Sequence, residues 1–521
     1  MADRATVAAF FAVVVGASLL AAAARRLAAS GDLPSLEGWA LADRRLSATW
    51  TWLLLGGTIF TAYTFIAVPG LVYGVGAFGF FAVPYTVILC PVIYLLLPRF
   101  WTVAHRNGYV TAADFVRGRF GSPALALVTA LTGILATMPY LALQLVGVRA
   151  VLSAAGLHPS GALGDLVMVA VFATLAVATY RHGLRAPAVI SAVKALAIFG
   201  SVLALGAFAL HTLGGPAAII HAAAPRLAEH APPGASLTRL APNQYAAYSS
   251  LALGSALALP MYPHVLTAGF AASGPKAIRR AAVAMPAWTM VLGVFGLLGV
   301  TALAAGIHTP AGHAELAVPL LVAKLMPPAA AGLVFGAIAV GALVPAAVMS
   351  ISAATCFVRN VHVEYFDPTA TPKRQVRTAR WVSLAAKVAA FAFVLGLRTQ
   401  DAIDLQLLGG VWVLQTLPTV AAGLYTRRLH QAALLAGWGA GMAVGTMLVV
   451  HGGFSQIVPI PIGGHVAQLY AGLVALVVNL MVAGVLTVVL DRLGVPRRED
   501  LTATAPRRAP VSGPDTGGVT L

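Results

Sequence analysis

The chain runs to 521 residues, 59% hydrophobic and only 9% charged, whereas a water-soluble domain carries roughly 25% charged residues. So few charges cannot clothe a 53 kDa globule in water, and the apolar residues arrive in blocks of about 20, long enough to cross a hydrocarbon core as helices. The net charge of +17 would suggest nucleic acid in a soluble protein, but the basic residues sit in short loops between apolar blocks, so membrane topology explains them and no nucleic-acid partner is expected.

Backbone groups in lipid need internal partners, which leaves helical bundles and closed barrels. The alternating ten-residue strands of a barrel are missing, so an all-α integral membrane protein is expected. In chain order the spans fall at about 5–24, 48–73, 77–98, 124–154, 161–180, 188–213, 245–271, 281–306, 329–357, 380–397, 403–425, 431–452 and 465–490, about 13 transmembrane helices. The first is followed, not preceded, by Arg25 and Arg26. A signal peptide has the opposite order, so it reads as a retained span with the N-terminus outside. Cys90 and Cys356 both lie inside apolar spans, where burial rather than a disulfide is the expectation.

Starting outside and alternating sides, the inner loops and the tail hold 25 of the 33 Lys and Arg residues. The outer loops hold Arg4, Arg226, Arg239, Lys324 and Arg398, and only Arg149, Lys194 and Lys387 fall within spans. This agrees with the positive-inside rule at every loop. The organisation expected is an N-terminal helix (1–24), a cytoplasmic loop (25–47), a first repeat (48–213), an extracellular loop (214–244), a second repeat (245–425), two C-terminal helices (426–490) and a cytoplasmic, disordered tail (491–521). High Ala, Gly and Arg usage fits a high-GC bacterium and hence an inner (plasma) membrane.

Two spans are interrupted. The second carries Gly56–Gly57 and Pro69–Gly70, and the seventh carries Gly254, Pro260 and Pro263. Such residues weaken the helical ladder, and freed backbone groups at membrane depth are tolerable where they line a cavity. Either span alone is readable as an ordinary proline kink. The two are five spans apart, at matching places in two five-helix halves, and an odd-numbered repeat is inverted in the membrane. Discontinuous helices at equivalent places in inverted repeats point to a transporter site near the midplane.

The segments GWALADRRLS (38–47), NGYVTAADFVRGRFGS (107–122) and VMSISAAT (348–355) resemble the sodium:solute symporter family, over about residues 35 to 490. GGTIFTAYTFIAVPGLVYG and ATMPYLALQLVGV look most like its bacterial monocarboxylate permease branch, whose members take up lactate, pyruvate, short fatty acids and sometimes alanine. The resemblance implies the leucine-transporter fold, a 5+5 inverted repeat with one extra N-terminal and two extra C-terminal helices. It also implies a sodium ion between core helices 1 and 8, with no other cofactor or metal. Carried onto this chain, the helix 1 carbonyls fall at about Gly57 and Phe60, and the helix 8 positions are Ala347, Ser350 and Ile351. Ile351 stands where many relatives carry a second hydroxyl, and an acidic residue found near the break in several relatives is absent. The coupling ion is therefore left open between Na+ and H+.

Lys194 lies on span 6, where many sodium-coupled relatives have an aspartate nearby. A lysine at membrane depth costs roughly 2.5–3.5 kcal/mol on insertion scales. It either supplies an ammonium where sodium would sit, as in some proton-coupled proteins of this fold, or snorkels to the inner headgroups. For the substrate, a small organic anion, the resemblance places candidates Thr58, Thr61, Tyr63 and Thr64 on helix 1, Tyr140 and Gln144 on helix 3, Ser255, Tyr262 and His264 on helix 6, and Trp412 and Gln415 on helix 10. Half-helix N-termini suit a carboxylate, although Thr and Ser also bond back to their own helix and Tyr and Trp also mark interfaces. Arg149 either draws anions to an outer gate or snorkels. His264, buried beside two prolines, reads more readily as a structural hydrogen-bonder than as a proton relay, and Lys387 reads as snorkelling.

The expected function is a symporter of small monocarboxylates such as pyruvate, lactate, acetate or propionate. The alternatives are a sodium-coupled symporter of an amino acid, proline, sugar or vitamin, and a transporter-like sensor acting with a partner. An enzyme is not expected, since the spans hold no cluster of His, Cys, Asp or Glu; Asp165 and Asp404 lie near outer ends. Membrane lipid surrounds the chain, and a monomer suffices for the function.

Overall fold

A computed structural model describes residues 3–27, 35–157, 182–396 and 402–502, with 164, 166–168, 170, 171 and 173. The span expected at 161–180, with Asp165, lies mostly outside these residues, as do Arg398 and the tail beyond 502.

Helices dominate. Apart from four short ones, at Leu36–Leu41, Ala112–Phe120, Ala317–Leu325 and Gly423–Tyr425, those among the described residues are α1 (Arg4–Leu27), α2 (Ala48–Ile59), α3 (Val68–Val75), α4 (Ala82–Asn107), α5 (Pro123–Ala154), α6 (Arg185–Leu213), α7 (Pro216–His230), α8 (Tyr245–Ala258), α9 (Pro263–Phe270), α10 (Pro275–Ala284), α11 (Pro286–Ala304), α12 (Pro328–Phe357), α13 (Pro372–Gly396), α14 (Ala402–Val413), α15 (Gln431–His451) and α16 (Ala471–Arg492). Proline opens many of them, at the position where its missing N–H costs nothing. Among the described residues, 8 helical stretches are long and apolar enough to cross a membrane, and the bent α8–α9 stretch makes up to 9. Of the other expected spans, those within the described residues are also helical: α1 is apolar over Arg4–Leu20, and α13 carries Lys373, Arg374, Arg377, Arg380 and Lys387. Helix α12 threads the centre; the 18-residue window that marks it as a span is wholly buried.

Both expected breaks exist, displaced from the glycines. In the second span α2 ends at Ile59, Phe60 is extended (φ −91°, ψ 95°), and a π-helical turn at Tyr63–Ala67 leads into α3. Gly56 and Gly57 serve close packing instead. A Cβ on Gly56 would meet the Trp288 indole nitrogen at 2.0 Å, and one on Gly57 would meet the Ser191 hydroxyl at 2.7 Å. In the seventh span a 3-10 turn at Leu259–Met261 and an extended Tyr262 (φ −64°, ψ 134°) separate α8 from α9, which are bent by 54°.

The sequence reading needs four corrections here. Span 11 is also irregular, with a 3-10 turn at Leu414–Thr416 and a π-helical turn at Pro418–Ala422, for which Pro418 was the only cue. The 214–244 loop contains α7. Residues 457–470, expected as loop and the start of a span, form a hairpin of β1 (Ile457–Ile462) and β2 (His465–Tyr470), with Ile457 opposite Tyr470, turned at Gly463–Gly464. Lastly, the tail is not disordered through its first residues. Asp500 pairs with Arg119 (2.6 Å) and Arg427 (3.2 Å), and the Leu501 N–H donates to Gly118 O (2.8 Å), binding the tail to the short helix Ala112–Phe120.

Candidate functional site

The site is built around the break between α2 and α3. On one side lies Lys194, fully buried on α6. Its ammonium donates to Gly57 O (2.7 Å), Phe60 O (2.7 Å) and Gly341 O (2.8 Å) and lies 5.5 Å from the Phe65 ring centroid. An ammonium has three N–H donors, and here each meets one carbonyl. No carboxylate stands within ion-pair reach among the described residues. Around it, Trp288 stacks on Phe60 (5.6 Å, 17°), and Ser191 packs against Gly57. The amine does not snorkel.

The α12 side of this cluster differs from expectation. Gly341, not Ala347, supplies the carbonyl, and the residues one turn on are Val344 and Pro345, which carry no hydroxyl. The Ser350 hydroxyl donates to Ala347 O (2.9 Å) and accepts from Ser383 (3.1 Å), whose hydroxyl accepts from Lys387 (3.0 Å). Lys387 is buried among serines, not snorkelling. Pro345 lacks the N–H that would bond the carbonyl four residues back, which leaves Gly341 O free for Lys194.

On the other side of the break are most of the expected substrate residues. Gln144 of α5 accepts from the Ala62 N–H (3.1 Å) and donates to Tyr140 O (3.0 Å) and the Thr61 hydroxyl (3.4 Å). Thr61 accepts from the Tyr63 N–H (3.1 Å). Tyr140 donates to Ile59 O (3.4 Å), Tyr262 to Gln406 O (3.2 Å) and Thr58 to Leu55 O (3.0 Å). The Ala62 and Tyr63 N–H groups at the break are thus already capped. Four expected residues are not satisfied. Thr64 and Ser255 have buried hydroxyls without partners, both ring nitrogens of His264 are unpaired, and the Tyr63 hydroxyl faces Tyr85 without a well-formed hydrogen bond. The rings of Tyr140, Tyr262 and His264 meet pairwise at 5.3 to 5.4 Å.

Trp412 and Gln415 do not belong to this group. Trp412 donates to Thr446 on α15 (3.1 Å). Gln415 donates to Gly472 O (3.2 Å) and accepts from Asn479 on α16 (3.2 Å). Arg149 is half-buried on α5, roughly 7 Å along the axis beyond Gln144. Sequence reasoning missed Tyr85 and Tyr470, which join Tyr63, Tyr140 and Tyr262 in a cluster of buried tyrosines, and Gly341, whose contribution is a backbone atom.

Two clefts flank this sealed centre. One of about 90 Å³ lies between α3, Ala314, Glu315 and Ile403. The other, about 20 Å³, lies among Thr111, Thr129, Met261, Pro263, Cys356 and Thr416, room for about one water.

Comparison with known proteins agrees with this geometry. A model of the Sodium:solute symporter family matches residues 39–441. The chain is 45% identical over 481 residues to a "Monocarboxylate transport permease protein" of Rhizobium johnstonii, covering 92% of this chain and 96% of that one. It is 28% identical over 413 residues to the uncharacterized symporter YodF of Bacillus subtilis, covering 79% and 81%. Its fold matches a Na+-coupled sialic acid symporter in a substrate-bound outward-open state with a TM-score of 0.74 at 15% identity, over 95% of this chain and 99% of that one. It matches Mhp1, a nucleobase-cation-symport-1 family transporter, with a TM-score of 0.55 at 12% identity, over 91% and 99%. The fold is that of the leucine transporter, a 5+5 inverted repeat.

Proposed function

The chain belongs to the sodium:solute symporter family and is a multi-pass symporter, and from that premise we propose that it carries small monocarboxylates by alternating access, coupled to protons rather than to sodium. The observation that carries the ion half of this reading is the Lys194 ammonium on Gly57 O, Phe60 O and Gly341 O. Sodium is a hard cation that replaces its water with several oxygens, and here those oxygens already hold a cation. As an ammonium Lys194 makes three donor bonds; as an amine it has two N–H groups, and its lone pair faces a carbonyl. Losing the proton therefore loosens the link between α2, α6 and α12, which gives proton release a mechanical consequence.

The substrate half rests on the 45% identical permease and on the unpartnered groups. Buried polar atoms without a partner are costly, and Tyr63, Thr64 and Ser255 offer O–H donors to a carboxylate, while Thr61, Tyr140, Gln144 and Tyr262 hold the frame. Arg149 draws the anion toward the site. We read 48–213 and 245–425 as the repeats, the basic loops as cytoplasmic, the N-terminus as outside and the membrane as the bacterial inner membrane.

The test is uptake of labelled pyruvate, lactate, acetate and propionate into proteoliposomes, with sodium and proton gradients imposed separately. Proton-driven uptake indifferent to sodium is expected. A strict sodium requirement would return the protein to a sodium-coupled mechanism, and no uptake of any acid would sink the substrate assignment.

A further inference from the structure

We infer that His264 reads the oxygen on carbon 2 of the substrate, so that the protein takes 2-hydroxy and 2-oxo monocarboxylates in preference to unsubstituted short fatty acids. This rests on the monocarboxylate reading above and adds a specificity-determining residue to it.

His264 is fully buried, and neither ring nitrogen has a partner. Its ring neighbours do not serve it: the Tyr140 hydroxyl donates its proton to Ile59 O and the Tyr262 hydroxyl to Gln406 O, so neither can donate to the ring's acceptor nitrogen, and neither is bonded to its N–H. The imidazole is held in place all the same. Tyr262 is extended, Pro263 opens α9, and His264 follows in the first turn, so the backbone fixes where the ring starts, and the two tyrosine rings at 5.4 and 5.3 Å fix where it lies. A structural histidine in a protein interior is expected to find a hydrogen bond; this one is positioned and left open.

The chemistry of the missing partner follows from the donor and acceptor count. A neutral imidazole has one donor and one acceptor. A carboxylate only accepts, and it is better served by the unpaired O–H groups of Thr64 and Ser255. A hydroxyl both donates and accepts, so a 2-hydroxyl can pair with either ring nitrogen. A 2-oxo group accepts from the N–H alone. The methylene of propionate does neither and leaves the imidazole as it is. The order expected is 2-hydroxy, then 2-oxo, then unsubstituted acid. A site built to hydrogen-bond a substrate group discriminates against analogues lacking it.

The experiment compares initial rates of L-lactate, pyruvate and propionate uptake in proteoliposomes for the wild type, His264→Gln and His264→Leu, each checked by thermal unfolding. The wild type should prefer lactate to propionate by about tenfold in kcat/KM, the equivalent of roughly 1.4 kcal/mol. His264→Leu should bring that ratio close to one, and His264→Gln, which keeps a donor and an acceptor, should recover part of it. An unchanged ratio in a folded His264→Leu protein, or a wild type that does not distinguish the acids, overturns the inference and leaves the monocarboxylate reading standing. If His264→Leu does not fold, the wild type's inhibition profile decides: 2-hydroxy acids must compete with lactate better than unsubstituted acids of equal length. A wild type that takes up none of the three overturns the monocarboxylate reading and this inference with it.

Discussion

The two sides of the break between α2 and α3 are built to opposite rules. On the α6 side, Lys194 and three carbonyls satisfy one another completely. On the α5 and α9 side, Gln144 and Thr61 cap the free backbone N–H groups, yet Thr64, Ser255 and His264 are left with nothing. The same interruption of a helix thus yields carbonyls that are fully occupied and side chains that are not. A filled site can hold the helix halves together without a ligand, whereas an unfilled one gains most when a ligand arrives.

That contrast can be broken from either side. The largest effect is expected for Lys194→Met, which leaves three buried carbonyls without donors at about 1–3 kcal/mol each. Uptake should fall at least tenfold and the thermal midpoint should drop; a variant with normal uptake and stability would show that the ammonium is not a clamp. Next comes Gly56→Ala, whose new methyl meets the Trp288 indole and pushes it off Phe60, an overpacking cost of about 1–3 kcal/mol readable in thermal unfolding. Thr61→Val keeps the shape but removes the acceptor for the Tyr63 N–H, and should weaken apparent substrate affinity a few-fold, in line with a hydrogen bond of about 1 kcal/mol. The smallest transport effect belongs to Gln415→Leu. It removes the side-chain bonds to Asn479 and Gly472 on α16 and should lower stability while leaving KM unchanged; a large KM change would return Gln415 to the substrate site.

What could be read from the sequence follows the same division. Pro260 and Pro263 mark the second break to within a residue or two, because proline removes a donor wherever it falls. Gly57 and Phe60 were placed as carbonyl donors by resemblance, and both meet Lys194. The partner from α12 is Gly341, six positions from the expected Ala347; its cue in the sequence is Pro345, which lacks the N–H that would otherwise bond Gly341 O. Trp412 and Gln415 turn instead to Thr446 and Gly472 on the two C-terminal helices, partners that lie far along the chain. The hairpin was hidden inside an expected loop and span, although Gly463–Gly464 between alternating residues is a hairpin signal. Which candidates were satisfied and which left open depends on rotamers and on residues far away in the chain, such as Gln406 for Tyr262, and no local pattern reports it.

Tyr470, the last residue of β2, is fully buried. Its N–H donates to the Ser250 hydroxyl on α8 (3.0 Å), its own hydroxyl donates to Leu407 O on α14 (2.9 Å), and its ring fills the space left by Gly254 and Gly410. One side chain thus rivets together two helices of the second repeat from outside that repeat. A motion that parted α8 from α14 would have to break these contacts, and a chain cut before residue 457 would be expected to lose them along with the hydrophobic contact of α16.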